Sequence, residues 1–520
     1  LRLAEAPKIF RLLAQTLHNK SAPWAFILGA ATVLGFAPFS LFFVPIVTCA
    51  FLFYILQAQT AKKVFTTSFA FSFGLLITGT SWIYVSLHDF GGMHPALATL
   101  ATVILSATFA LPPAIIQALL ARFAHSETLR LLAIFPVGLA LSDWCRGWFL
   151  TGFPWLSIGY SQIPVSPFSN YASVLGIYGV TLACTFCSGG LAYLFKNLYA
   201  TQQKLPLKTT LKRGATLPAL VIVLSIALGI PEWTQQISNK TTSVSLLQGN
   251  ISQDIKWSPE WLEKTMMTYL DMIVQEKSDL ILLPETAIPL LENNVPNWYW
   301  DALKNHAKTN NLDILLGIPE KSDEGQFYNS VIQVGGQDAQ RYRKHHLVPF
   351  GDYFPMRSIT AGVLNYLKIP MSNFSHGPNN QAPFILGRQV LGVDICYEDV
   401  FGEEIIRQLP DATVLANFTN DAWWGESLGP QQHLQIAQAR SIETGRELLR
   451  VTNTGVTAVI DHRGYIVTQA PQFSKTVLRA EIHGRKGSTP YSRWGNLPFV
   501  ILCLVILTLC VKSTSARLKS

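Results

Sequence analysis

Charged residues are scarce in this chain of 520: Asp, Glu, Lys and Arg make up 14%, against 49% hydrophobic residues. That shortage excludes an ordinary soluble enzyme, because the apolar residues gather in runs longer than a globular core needs. Acidic residues are rarer still over 1–231, where 4 Asp/Glu stand against 14 Lys/Arg; 232–493 carries 28 against 23, and 494–520 none against 3. The net charge of +8 therefore belongs to the flanks of apolar runs. The middle block lacks the basic surplus of a nucleic-acid binder, so no nucleic-acid partner is expected. Cysteine is absent from that block except for Cys396, which excludes a disulfide framework there. Cys184 and Cys187 spell C-x-x-C, but inside an apolar helix they read as small-residue packing.

What is present in quantity is apolar helix. Windows near 22–39, 40–57, 66–87, 96–121, 129–150, 171–195, 216–231 and 495–511 each approach the roughly 20 residues that cross a bilayer core. The expectation is a multi-span α-helical membrane domain over 1–231 with seven helices, an ordinary soluble block over 232–493, and an eighth span with its tail over 494–520. Lys/Arg cluster before the first span (Arg2, Lys8, Arg11, Lys20) and between the second and third (Lys62, Lys63). Further clusters stand between the fourth and fifth (Arg122, Arg130), between the sixth and seventh (Lys196, Lys204, Lys208, Lys212, Arg213), and after the eighth (Lys512, Arg517, Lys519). Positive charge stays cytoplasmic, so both termini are expected inside and the block outside; in a bacterium that means the inner membrane with the block facing the periplasm. The first run reads as a span and not a cleavable signal, since it lacks a small-residue cleavage site.

Within the block, β-rich runs alternate with amphipathic stretches, which predicts an α/β sandwich. Strands are expected at 243–247, 280–283, 312–318, 327–335, 339–348, 389–395 and 412–418, with β-rich segments over 449–482. Helices are expected at 258–276, opened by Pro259, at 296–309, at 400–408, and from Pro430 to about 444. Glu285, Lys344 and Cys396 all fall at or near strand ends, the usual place for a site in an α/β sheet.

Cys396 stands among Asp394, Glu398 and Asp399, whose charges raise a thiol pKa. A helix beginning just after it would place its positive end near the sulfur and offset part of that penalty. A lone cysteine also reads as a buried small hydrophobe. If Lys344 and Glu285 converge on it, however, the lysine can stabilise a thiolate or oxyanion and the glutamate can take the thiol proton.

Leu283-Pro284-Glu285-Thr286-Ala287, Arg343-Lys344-His345-His346-Leu347-Val348-Pro349-Phe350-Gly351 and Cys396-Tyr397-Glu398-Asp399 resemble the Glu, Lys and Cys motifs of the nitrilase superfamily. Further motifs carry the likeness to its membrane-embedded branch, the apolipoprotein N-acyltransferases. They are Trp144-Cys145-Arg146-Gly147-Trp148, Thr151-Gly152-Phe153-Pro154-Trp155, Gln248-Gly249-Asn250, Asn420-Asp421-Ala422-Trp423-Trp424-Gly425 and Thr452-Asn453-Thr454-Gly455. The resemblance spans nearly the whole chain and implies an αββα nitrilase-like sandwich. It also implies a catalytic triad Glu285, Lys344 and Cys396, with Trp257, Asp352, Tyr397 and Glu398 supporting it or binding substrate. Asp143 and Asp352 stand where the family usually shows Glu. The implied reaction moves an acyl chain from a phospholipid through a Cys396 thioester to the α-amine of a diacylglyceryl-modified N-terminal cysteine on an apolipoprotein. No metal or organic cofactor is implied, and a monomer is expected. The alternatives are a membrane-tethered amidase, in which water is the acceptor, and an inactive fold that only binds lipoproteins.

Other features weigh less. Gly425-Glu426-Ser427-Leu428-Gly429 matches G-x-S-x-G but lies several residues past a strand, where a nucleophile elbow is not expected. His345-His346 lacks a completing ligand set. Trp423-Trp424 suits either core filling or a lipid-facing mouth. Asp143 and Arg146, three apart near the end of the fifth span, suit either a functional site or a mutual pair.

Overall fold

The computed structural model describes residues 16, 19–124, 126–200, 206–335, 340–353 and 373–519. Arg2, Lys8, Arg11 and Lys204 lie outside these. The chain separates into two compact units, one of Leu1–Ser81, Leu100–Glu232 and Trp494–Ser520, the other of Trp82–Thr99 and Trp233–Arg493.

The first unit is helical: α1 (Ser21–Thr32), α2 (Phe43–Leu56), α3 (Ala61–Gly79), α4 (Pro95–Phe123), α5 (Phe135–Arg146), α6 (Ala172–Phe195) and α7 (Leu207–Leu228), with a last helix Leu497–Lys519. Among the described residues four helical stretches are long and apolar enough to cross a membrane, Pro95–Phe123, Glu127–Arg146, Ser169–Leu198 and Leu207–Leu228. Ser21–Gly35, Phe43–Leu56 and Leu497–Lys512 are apolar but shorter. This is a membrane-embedded domain, and small residues let its helices close up. A Cβ on Gly29 of α1 would stand 1.9 Å from the Phe71 carbonyl oxygen of α3, and one on Gly74 of α3 would stand 2.3 Å from the Phe26 carbonyl oxygen. With no hydrophobic drive between helices in lipid, such backbone approach supplies the packing. Asp143 and Arg146 pair at 2.8 Å. The second Asp143 oxygen accepts the Ile158 amide at 2.8 Å, so both charges are spent inside the unit.

The second unit is a four-layer αββα sandwich. One sheet runs β12-β1-β2-β3-β4-β5, from β1 (Thr234–Gln248), β2 (Leu280–Leu282), β3 (Asp313–Lys321), β4 (Phe327–Val334), β5 (Arg341–Arg343) and β12 (Thr476–Gly487). The other runs β11-β10-β9-β8-β7-β6, from β6 (Phe384–Leu386), β7 (Gln389–Ile395), β8 (Val414–Thr419), β9 (Leu448–Thr452), β10 (Ala458–Ile460) and β11 (Ile466–Gln469). The parallel strands β1-β2-β3 and β7-β8-β9 form the middle of each sheet. Alternation sorts their side chains: Val244, Leu246, Leu315, Val414, Ala416 and Phe418 meet in the core between the sheets. Leu247, Ile314 and Leu316 face outward onto α8 (Pro259–Val274) and α9 (Asn297–Asn310), which answer with Met266, Tyr269, Ile273, Tyr299 and Leu303. Leu415 and Leu448 likewise face Leu434 and Ala437 of α10 (Gly429–Thr444). α8 and α9 bury residues three or four apart, the spacing of one helical face, whereas α10 is buried all round.

Two expectations are corrected. The helix expected at 400–408 starts at Gly402 and is short, Gly402–Ile405 continuing as a 3-10 turn, Ile406–Gln408, and a separate 3-10 turn, Cys396–Val400, precedes it. The strand at 339–348 shortens to Arg341–Arg343, because beyond Lys344, whose amide still bonds to Asn329 of β4, the amides of His345 and His346 are taken by the Glu398 carboxylate at 2.7 and 3.0 Å.

Candidate active site

Strand β2 is followed by Leu283-Pro284, and the chain turns at Glu285 with Thr286 at φ 51°. The turn fits because β3 passes with Gly317 beneath it. A Cβ there would lie 2.4 Å from the Pro284 carbonyl oxygen and 2.6 Å from the Thr286 nitrogen. Glu285 Oε1 accepts from Asn329 Nδ2 of β4 at 2.7 Å and faces Lys344 Nζ at 3.3 Å.

Lys344 comes directly after β5 and is held along its length. Its amide donates to the Asn329 carbonyl at 2.8 Å, and its carbonyl accepts from Gly377 at 2.8 Å. Its ammonium is buried and lies 2.8 Å from Asp352 Oδ2. Burial works against the charge, but Asp352, then Glu285 and Cys396, outweigh it and hold the pKa well above the ordinary lysine value. Asp352, the shorter residue at its position, reaches the lysine and also accepts the Val348 amide at 2.8 Å.

Cys396 ends β7 with φ 55°, a left-handed backbone unusual for a residue with a side chain and typical of functional sites. Its carbonyl accepts from Asn417 Nδ2 at 3.1 Å. Loss of hydration raises its pKa well above the ordinary thiol value, Glu285 raises it further, and Lys344 and a Thr419 hydrogen bond pull it down. The helix-end contribution expected from sequence is absent, since Cys396 opens a 3-10 turn and not a helix with a dipole. Cys396 thus lies in the field of the Glu285 side chain and the Lys344 ammonium.

Glu398 braces the site from behind. Its Oε1 accepts the amides of His345 and His346 and the Tyr342 hydroxyl at 3.1 Å; its Oε2 accepts the Ile395 amide at 2.7 Å. It thus ties the chain after Lys344 to the residue before Cys396 without itself touching the ammonium. Burial raises its pKa against these hydrogen bonds. Tyr397 is buried, edge-on to His346 at 6.0 Å and to Phe401 at 5.3 Å. Trp257 is half-buried, directly after the helical turn Gln253–Lys256.

Several residues escaped the sequence reading. Asn329 holds the Glu285 carboxylate; its only signal is a polar residue inside an otherwise β-rich run. Lys256 is buried and donates from Nζ to the Glu285 carbonyl oxygen at 3.3 Å. Behind β8, Asp399, Asp421, His433 and Arg450 form a wholly buried ionic cluster. In it Arg450 reaches Asp421 at 2.9 Å and Asp399 at 3.4 Å, and His433 bridges the same two carboxylates. Residues from remote parts of the chain assemble it, so no local pattern shows it.

The remaining features are absorbed structurally. Ser427 Oγ accepts the Gly429 amide at 3.3 Å at the start of α10. His345 Nδ1 bonds with the Gly377 carbonyl, and His346 pairs with Glu404 at 3.0 Å. Trp424 packs within this unit against Trp82, ring centroids 4.9 Å apart.

Residues 28–190 match the apolipoprotein N-acyltransferase N-terminal domain family, and residues 243–491 match the carbon-nitrogen hydrolase family. The apolipoprotein N-acyltransferase of Nitrosomonas europaea is 43% identical over 500 residues, which cover 95% of this chain and 98% of that protein. The apolipoprotein N-acyltransferases of Chromobacterium violaceum and Vibrio vulnificus are 36% and 37% identical. They cover 94% and 93% of this chain and 92% and 95% of their own lengths.

Proposed function

Since the chain belongs to the apolipoprotein N-acyltransferase family, we propose that it acylates the N-terminus of lipoproteins, with Cys396 as nucleophile and a membrane phospholipid as acyl donor. The observation that carries this reading is the buried Lys344 ammonium held between Glu285 and Asp352, with Cys396 in its field.

Glu285 accepts the proton as the Cys396 sulfur attacks the ester carbonyl carbon, so the S–H bond breaks and a C–S bond forms. The carbonyl electron pair moves to oxygen, where Lys344 faces the developing charge. Collapse breaks the ester C–O bond; the departing lysophospholipid oxygen takes the proton from Glu285 and leaves a thioester. The free α-amine of a diacylglyceryl-cysteine then attacks the thioester and gives its proton to Glu285. The C–S bond breaks, and the sulfur is reprotonated. A thioester is reactive enough for an amine to open, and apolar surroundings keep water away. The family resemblance assigns Trp257 and Tyr397 to supporting the site or binding substrate. The distribution of Lys and Arg about the apolar runs supports a catalytic domain on the periplasmic side of the bacterial inner membrane.

Mass spectrometry of the Cys396 peptide after mixing with phospholipid alone tests this. One added acyl chain, labile to hydroxylamine and discharged by a diacylated lipopeptide with a free amine, is expected; an N-acetylated lipopeptide should leave it loaded. A thioester that decays equally fast without acceptor would make the protein a hydrolase. Acyl on Ser427 would end the reading.

A further inference from the structure

The charge balance around Cys396 is incomplete with Lys344 alone. That single ammonium faces two carboxylates, Glu285 and Asp352. Asp421, which also raises the thiol pKa, is already engaged by Arg450 and His433. When the proton passes from sulfur to Glu285, the negative charge moves onto sulfur and then onto the substrate oxygen, both in a site poor in water. One further cation reaches this region. Lys256, in the turn after β1, is 2% exposed and points its ammonium at the Glu285 main-chain carbonyl. Among the described residues it makes no ion pair. A buried ammonium set against a neutral carbonyl is costly, and a packed apolar side chain of the same length would serve the fold better.

We propose that Lys256 is a positioning residue of this site, its ammonium propping the Glu285 turn and supplying the second positive charge that balances the anion formed at Cys396. The assignment rests on the acyl-transfer reading and deepens it. Lys256 acts on the same two groups through two routes. The hydrogen bond fixes the Glu285 carbonyl beside the left-handed Thr286, so the general base meets the thiol at a set angle. The charge lowers the free energy of the thiolate without touching substrate. The titratable groups that face it are Glu285 at the end of β2 and Cys396 at the end of β7, with Lys344 and Asp352 beyond them. Burial pushes the Lys256 pKa down to about 8, against the upward pull of Glu285 and Cys396. Lys256 is therefore charged at neutral pH and loses its charge just above it, whereas Lys344 stays charged.

Two measurements test this. The first is the iodoacetamide rate at Cys396 across pH in the full-length protein, read by mass spectrometry of its peptide, with no lipid substrate needed. Lys256→Met should alkylate about tenfold more slowly at pH 7, and the gap to wild type should close above pH about 8, where Lys256 loses its charge while the Cys396 thiol is still below its own midpoint. Lys256→Arg keeps the charge and should stay close to wild type. A wild-type rate at pH 7 in Lys256→Met overturns the proposal. The second measurement is single-turnover acyl loading in wild type and Lys256→Arg, which needs no uncharged variant to fold. Wild type should lose rate above pH about 8 as Lys256 deprotonates, while Lys256→Arg should hold its rate. A shared descent at the same pH overturns the proposal. If wild type forms no thioester at all, the acyl-transfer reading fails, and the alkylation profiles still decide whether Lys256 governs the thiol.

Discussion

Replacing Glu398 with Gln removes one charge and one acceptor from a carboxylate that has four donors aimed at it. Three of them, the amides of His345 and His346 and the Tyr342 hydroxyl, converge on Oε1, and the Ile395 amide meets Oε2. A glutamine keeps one oxygen. With that oxygen toward His345 and His346, its NH2 group faces the Ile395 amide, donor against donor; the reverse orientation leaves three donors without an acceptor. The milder case loses one charge-assisted hydrogen bond, about 1.5–3 kcal/mol, and leaves a buried N–H unsatisfied, about 1–3 kcal/mol more. The local cost is then about 2.5–6 kcal/mol, placed on the segment that carries Lys344 and on the residue before Cys396. If about half of it appears in the barrier, the acylation rate falls by about one to two decades. Single-turnover loading of Cys396 from phospholipid measures this. Lipid binding should change much less, because Glu398 is buried behind the site. Tyr342→Phe removes one donor of the three on Oε1 and should slow loading far less than Glu398→Gln. An acylation rate in Glu398→Gln within twofold of wild type, with unaltered hydrogen exchange at His345 and His346, would refute the bracing role.

Asp352→Asn removes the nearer of the two counter-charges on Lys344, at 2.8 Å against 3.3 Å for Glu285. Asp352 is what most raises the lysine pKa, so in a Lys256→Arg background, where the alkaline loss of acylation is that of Lys344, the loss should begin at lower pH with Asp352→Asn, read from loading rates between pH 7 and 11; an unmoved limb would detach Asp352 from Lys344. Arg450→Met leaves Asp399 and Asp421 facing His433 without their guanidinium in a fully buried cluster, and breaking such a set costs about 3–5 kcal/mol. A clear fall in the thermal unfolding midpoint in detergent is expected, and an unchanged midpoint would show that the cluster contributes nothing to stability.

Local pattern carried much of this protein in its sequence, where near neighbours along the chain decide the outcome. Apolar runs flanked by Lys and Arg mark a membrane domain because backbone polar groups in lipid must be satisfied within a helix. Pro259 and Pro430 sit at helix starts because their missing N–H costs nothing there. The strand ends at Leu282 and Ile395 come from short β-rich runs, and they put Glu285 and Cys396 just past the sheet edges. Sheet order and burial were decided only in three dimensions. Asn329, Lys256 and the cluster around Arg450 join elements remote in sequence, and only the pairing of β2 with β3 and of β3 with β4 brings Asn329 under Glu285. The segment after Cys396 shows the same limit. A helix is expected to follow Cys396 directly, yet the Glu398 carboxylate takes the Ile395, His345 and His346 amides, a 3-10 turn stands at Cys396–Val400, and the helix begins only at Gly402. The thiol pKa is likewise a property of depth, Glu285 and Lys344, none of which the neighbours of Cys396 in the chain can specify.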